Sequence, residues 1–139
     1  MLKLYNTFSK SVETLDITDS DIKIYLCGPT VQSSPHIGHG RSAVVFDFMV
    51  RYLKFSGKNV IFARNITDID DKIIEKSKEE NISYKVLGER VAKEFKDSYE
   101  KLNCLTPDFE PKATETINQM IELIDILIQK DFGYASKSG

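Results

Sequence analysis

Ile22-Lys23-Ile24-Tyr25-Leu26-Cys27-Gly28-Pro29 is the stretch on which the fold turns. Residues 22–27 are rich in β-formers and partly alternate, so they read as a strand that Gly28-Pro29 ends. Ser34-Pro35 follows, a helix N-cap with proline at the first helical position. From His36 to Ser56, Val44, Val45, Phe48, Met49, Tyr52 and Leu53 recur at helical spacing, and Gly57 sits where a C-terminal stop belongs. Val60 to Ala63 is a second buried strand. Strand, helix and strand within about 45 residues make one right-handed βαβ unit of a parallel sheet.

Outward from this unit the pattern is simpler. Leu2 to Thr7 is a further short strand. Lys72 to Glu80 is a short polar helix whose lysines alternate with glutamates, as on a solvated face. A longer helix runs from Ser83, its cap, to Leu102. Thr106-Pro107-Asp108 and Glu110-Pro111 form a stiff connection. Thr114 to Lys130 is a helix with Ile117, Met120, Ile121, Ile124, Leu127 and Ile128 along one face. Gly133-Tyr134-Ala135-Ser136 is strand-like and Lys137-Ser138-Gly139 resembles a hairpin turn. A strand and turn without a return strand has nowhere to send its hydrogen bonds, so the chain is expected to be truncated there.

Composition bounds the function. The chain has 139 residues, 41% hydrophobic and 29% charged, with a net charge of −2. This is an ordinary globular composition, large enough for one core. A small autonomous nucleic-acid clamp would carry a basic face, which this balance argues against, although nucleic acid can still be the substrate of a larger protein. No apolar run approaches the ~20 residues of a membrane span, and residues 1–25 lack a secretory pattern. Two cysteines, Cys27 and Cys104, in a chain without a secretory signal indicate no disulfide framework, and the expected compartment is the cytoplasm.

The chemistry lies between Cys27 and Asp71. Both histidines of the chain stand in His36-Ile37-Gly38-His39, after a strand and loop and at the start of a helix. That placement aims backbone amides and the positive end of the helix at an anion. Imidazoles three residues apart share a helical face and can hydrogen-bond a polyphosphate, while Gly38 leaves room for a flat ring against the backbone. A chance pair of surface histidines is the bland alternative. Asp68, Asp70 and Asp71 could suit a hard cation, but capping and starting the following helix is the favoured account.

His36-Ile37-Gly38-His39 resembles the ATP-binding signature of class I aminoacyl-tRNA synthetases. Tyr25-Leu26-Cys27-Gly28-Pro29-Thr30-Val31, Gly40-Arg41 and the run from Arg64 to Ile73 narrow the resemblance to the cysteinyl-tRNA synthetases. Leu2 to Thr7 and Pro107 to Thr114 are similar to that family too. The resemblance implies an α/β chain. Residues 1–71 would be the first half of a Rossmann-type catalytic domain, 72–132 a helical segment, and 133–139 the start of a truncated strand or hairpin of a connective region. It implies activation of cysteine by ATP, with magnesium, and transfer of the cysteinyl group to its tRNA.

By the same resemblance His36 and His39 are catalytic, stabilising charge on the α-phosphate, and His36, Ile37, Gly38 and His39 bind ATP. Gly28, Thr30 and Thr67 line the amino-acid pocket. Cys27 is the first of four zinc ligands, the zinc taking the substrate thiolate and so rejecting serine. Alone, Cys27 would read as a small buried hydrophobe. Cys104 matches no ligand and reads as packing. Val31-Gln32-Ser33-Ser34 departs from the Tyr-Asp more usual in this loop.

The other three zinc ligands (a cysteine, a histidine and a glutamate) and the Lys-Met-Ser-Lys-Ser signature are absent from the 139 residues. The chain is therefore expected to be an N-terminal portion that neither holds zinc tightly nor charges tRNA alone, with a monomer favoured. The rival readings are a small nucleotidyltransferase with a His-x-Gly-His motif, a ligase joining cysteine to an amino-sugar, and a non-catalytic binding protein. The first lacks its Ser/Thr-rich motif ending in arginine. Asp70-Asp71-Lys72 favours the synthetase over the second.

Overall fold

The computed structural model describes residues 2–15 and 21–136. Strands β1 (Lys3–Asn6) and β2 (Ser11–Thr14) form an antiparallel hairpin, and β3 (Asp21–Leu26) leads into the loop before α1 (Ile37–Phe55). Next come β4 (Asn59–Arg64), α2 (Asp71–Glu79), α3 (Tyr84–Lys101), a 3₁₀ turn (Ala113–Glu115) and α4 (Ile117–Gln129). Strands β3 and β4 pair in parallel, with Ile22 opposite Val60, Ile24 opposite Phe62 and Leu26 opposite Arg64. The expected βαβ unit is thus present. The second strand of the N-terminal hairpin was not legible, because Ser11-Val12-Glu13-Thr14 is short and exposed along its length.

Each of the four α-helices ends in the same way, which fixes its length. Gly57, Asn81, Asn103 and Asp131 follow the helix ends with φ of 81°, 57°, 56° and 60°. The N–H of each donates to the carbonyl three residues back, and the next N–H reaches five back, as in Lys58 to Leu53 (3.1 Å) and Cys104 to Tyr99 (3.0 Å). These left-handed closures satisfy carbonyls that would otherwise lack partners. Glycine and asparagine are the residues that adopt them most readily.

Helix α1 joins two clusters. Near its start Ala43 packs with Val31, Ile73, Leu87, Val91, Phe95 and Tyr99; near its end Val50 and Leu53 pack on Val60 and Phe62 of β4. The half-buried Ile22, Ile24 and Leu26 of β3 lean on the second cluster, as alternation along a strand requires. α1 is also apolar on its outward side, where Ile37, Val45, Phe48 and Phe55 are exposed. α4 has no buried residue.

The connection after α3 is more than a stiff link. Phe109 bridges Ala63 and Lys112 bridges Ile66, both in parallel. Arg64 N–H donates to Phe109 O (3.0 Å), Ile66 N–H to Pro111 O (2.9 Å), and Phe62 N–H to the Asp108 carboxylate (2.8 Å). Residues 108–113 therefore form a strap along β4. Pro107 and Pro111 lack donors and prevent a continuous ladder, which is why the sequence does not read as a strand.

Three local expectations change. Ser34 does not cap α1; its hydroxyl donates to Glu94 (2.6 Å), and His36 is the cap. The helix expected from Thr114 begins as the 3₁₀ turn and becomes α-helical only at Ile117. Gly133 to Ser136 is not a strand of either sheet among the described residues; the expected turn at 137–139 lies outside them. Leu53→Ala, at a fully buried site, should cost about 2–5 kcal/mol in urea unfolding of this chain. Leu127→Ala, at a position 38% exposed, should stay within about 0.5 kcal/mol.

Candidate functional site

The ends of β3 and β4 are laced together. Thr67 N–H donates to Pro29 O (3.0 Å) and Val31 N–H to Thr67 O (3.1 Å), closing a parallel bridge between Thr30 and Thr67. Gly28 N–H donates to the Asn65 side-chain carbonyl (2.7 Å), and the Asn65 amide donates to the Thr67 hydroxyl (3.2 Å). A Cβ at position 28 would lie 1.6 Å from Asn65 O, so only glycine permits this approach. The lacing leaves Cys27 exposed at the end of β3 rather than buried as a packing residue.

The loop then enters α1 through the two histidines. His36 has extended backbone and its Nδ1 accepts from Gly38 N–H (3.1 Å), while His39 Nδ1 accepts from His36 N–H (3.2 Å). A reciprocal capping box normally uses serine and glutamate; here two imidazoles fill both roles. Because each Nδ1 is an acceptor, each neutral ring carries its proton on Nε2 as a donor. The rings stack with centroids 3.9 Å apart. A Cβ at position 38 would come 2.9 Å from the His36 ring, so Gly38 makes room for that ring.

A cavity of about 300 Å³ opens between these elements. Of the residues singled out from sequence, Cys27, Gly28, Thr30, His36 and His39 line it. Thr67 stands behind the wall and holds Thr30 and Asn65 in place. Ile37 and Gly38 are outside the cavity, and Ile37 is 90% exposed. Gln32 and Ser33, from the stretch that departs from the family pattern, line it as well.

Sequence reasoning missed several further residues of the wall, among them Arg64 and Tyr99. Arg64 is buried at the end of β4; its Nε and one terminal nitrogen donate to a Glu110 carboxylate oxygen (3.1 and 2.6 Å). The guanidinium lies over the Tyr99 ring, 4.3 Å from its centroid. A planar cation satisfies both partners at once, as lysine could not. The available signal was a charge closing an otherwise apolar strand. Burial pushes the Tyr99 phenol up, against the opposing pull of Arg64.

The aspartates beyond β4 serve structure. Asp70 caps α2 by accepting from Lys72 N–H (2.9 Å), as expected. Asp68 instead holds the start of the 3₁₀ turn, accepting from the Thr114 N–H (2.9 Å) and hydroxyl (2.6 Å). Cys104 is half-buried against the first cluster. Among the described residues no three His, Cys, Asp or Glu side chains gather as a metal site. Zinc takes four donors, and Cys27 would be one, so the described residues do not by themselves form a zinc site.

Burial, helped by the neighbouring His36, holds the His39 pKa below its ordinary 6.5. The unfolded chain therefore binds the proton more readily than the folded one. This contribution to stability is complete above pH 6.5 and is lost as pH falls below it. Melting temperature followed from pH 8 to 5 should drop over that range, and His39→Asn should flatten this part of the curve. Cysteine accessibility gives a second check. Burial and Asp47 raise the Cys104 thiol pKa while Cys27 is exposed, so iodoacetamide should modify Cys27 several-fold faster, read by peptide mass.

Comparison with known proteins bears on this arrangement. A family model described as the class I (C) tRNA synthetase catalytic domain matches residues 13–139. The chain is 48% identical over 139 residues to a cysteine--tRNA ligase of Maridesulfovibrio salexigens, covering 99% of this chain and 29% of that protein. It is 47% identical over 137 residues to a cysteine--tRNA ligase of Wolbachia pipientis, covering 98% and 30%. The chain thus spans about 30% of the length of these relatives. Among solved structures, Mycobacterium tuberculosis methionyl-tRNA synthetase in complex with methionyl-adenylate aligns with a TM-score of 0.61 at 18% identity. That match covers 64% of this chain and 18% of the other, and at this identity it speaks to the fold alone. No helix among the described residues is long and apolar enough to cross a membrane. By the match over residues 13–139, the chain belongs to the family of class I tRNA synthetase catalytic domains of the (C) type.

Proposed function

We propose that this chain carries the adenylate-forming site of a cysteine--tRNA ligase. The observation that carries this reading is the meeting of Cys27, Thr30, His36 and His39 at one cavity. Two relatives named for that activity are 47–48% identical to the chain.

In the first step a cysteine carboxylate oxygen attacks the α-phosphorus of ATP. A new P–O bond forms, the bond to the β-phosphate oxygen breaks, and magnesium pyrophosphate leaves. Charge grows on the α-phosphate oxygens as this happens. The Nε2–H groups of His36 and His39 and the amino end of α1 are donors suited to that charge. Both rings are already tied to the backbone through Nδ1, which leaves Nε2–H as the donor, so little reorganisation is needed when the charge appears. Ile37 contributes to ATP binding through the backbone of the first helical turn, and Gly38 by leaving room for the His36 ring.

Gly28 and Thr30 hold the amino acid, and Thr67 supports Thr30 from behind the wall. Cys27 would contribute one thiolate to a zinc site whose other donors lie outside the described residues. In the second step a hydroxyl of the terminal ribose of the tRNA attacks the adenylate carbonyl, forming the ester and releasing AMP. Cysteine, ATP and the cysteine tRNA are thus the proposed partners, in the cytoplasm.

Cysteine-dependent exchange between pyrophosphate and ATP tests the first step in the intact polypeptide. His36→Asn and His39→Asn should each lower kcat by about 10²–10³, with smaller changes in KM. Exchange that runs equally well with serine, or without any amino acid, would overturn the reading.

A further inference from the structure

His39 does not orient itself. The one described hydrogen bond of its ring, from His36 N–H to Nδ1, is 3.2 Å long, at the upper end of the usual range. A single long bond fixes the direction of a ring poorly, yet the ring must aim Nε2 into the cavity. Its second fixed neighbour on that side comes from α3, more than fifty residues further along the chain. Phe95, 2% exposed, meets the His39 ring edge to face, with centroids 4.9 Å apart and planes at 76°. Phe95 is in turn held by Tyr99, at 5.9 Å and 58°. Tyr99 is held beneath Arg64, and Ser34 bonds to Glu94, the residue before Phe95. One face of α3 thus grips the cavity at three points: the loop before α1, the second histidine, and the end of β4.

We propose that Phe95 is a positioning residue, setting the orientation of the His39 imidazole so that its Nε2–H meets the phosphate. The proposal builds on the adenylate-forming reading and adds a residue that does not itself line the cavity. Phe95 touches no substrate. Its action is to leave the His39 ring one allowed orientation between the His36 ring at 3.9 Å and its own edge-to-face contact. Aromatic pairs of this geometry are worth more than their buried area alone. Small displacements of a catalytic group cost rate out of proportion to stability.

The test compares two variants in the intact polypeptide. Phe95→Leu keeps most of the apolar volume and removes the ring. Val91→Ala removes volume from the same cluster, one turn away along α3, and leaves the Phe95 ring that meets His39 in place. Phe95→Leu should lower kcat for cysteine-dependent pyrophosphate exchange about tenfold, with KM for ATP changed less than about twofold. Val91→Ala should lower the melting temperature yet leave kcat within about twofold. Nitrogen-15 shifts of labelled histidine, with His39 assigned by its loss in His39→Asn, should report the Nε2–H tautomer in the unaltered protein and in Val91→Ala. In Phe95→Leu they should move toward the average of the two tautomers. Unchanged His39 nitrogens in Phe95→Leu, or an equal kcat loss in Val91→Ala, would overturn the proposal. If the unaltered protein shows no exchange, the adenylate-forming reading fails while the nitrogen shifts still decide the positioning. Should Phe95→Leu not fold, Phe95→Met, an unbranched apolar side chain without a ring, carries the same comparison.

Discussion

Everything in the site hangs on the contact between the backbone of Gly28 and that of Asn65. Two parallel strands bring their C-terminal ends side by side, but the loops that follow normally diverge. Here the missing Cβ at position 28 lets the second loop close to within a distance no side chain would tolerate. The Asn65 side chain then joins both loops by bonding Gly28 and Thr67. This junction presents Cys27 to solvent, fixes Thr30, and sets the angle at which the chain enters α1. In open α/β sheets, ligands bind outside the carboxyl ends of the strands. The junction is what gives this particular crevice its floor.

The histidines illustrate how a functional group can double as a structural one. A helix needs acceptors for its first N–H groups, and serine or aspartate would supply them more simply. Using imidazole Nδ1 atoms instead binds each ring to the backbone and leaves the opposite nitrogen as a donor. Tautomer and helix initiation are settled by the same two bonds, while the direction of the His39 ring also depends on Phe95. Protonation of the His39 Nδ1 would set a donor against the His36 N–H, in keeping with the lowered pKa of His39.

Much of the frame was readable from residue order. Alternation in 22–27, the apolar periodicity from Val44 to Leu53 and the buried run at 60–63 each correspond to an element close to the expected bounds. Ser83 caps α3 as its position suggested. The site was legible where one motif packs its chemistry into four residues. What escaped was what depends on pairing across distance. Ser34-Pro35 has the local form of a helix start, but Glu94 claims the hydroxyl. The strap at 108–113 looks like a loop because its prolines interrupt it, and only its registry with β4 reveals what it does. Arg64 and Tyr99 form part of the cavity wall through a contact 35 positions apart, which no periodicity encodes.

The strap also bears on the order of assembly. Contacts within the β3–α1–β4 unit and between α2 and α3 join elements near in sequence, and such local contacts close soonest. The strap must return across 46 positions for Glu110 to reach Arg64 and for Thr114 to reach Asp68. It passes all of α2 and α3 on the way, and a longer loop carries a greater closure entropy. In a chain emerging from the ribosome, the cavity is therefore outlined before Arg64 is clamped. The mouth of the cavity is drafted early and braced late.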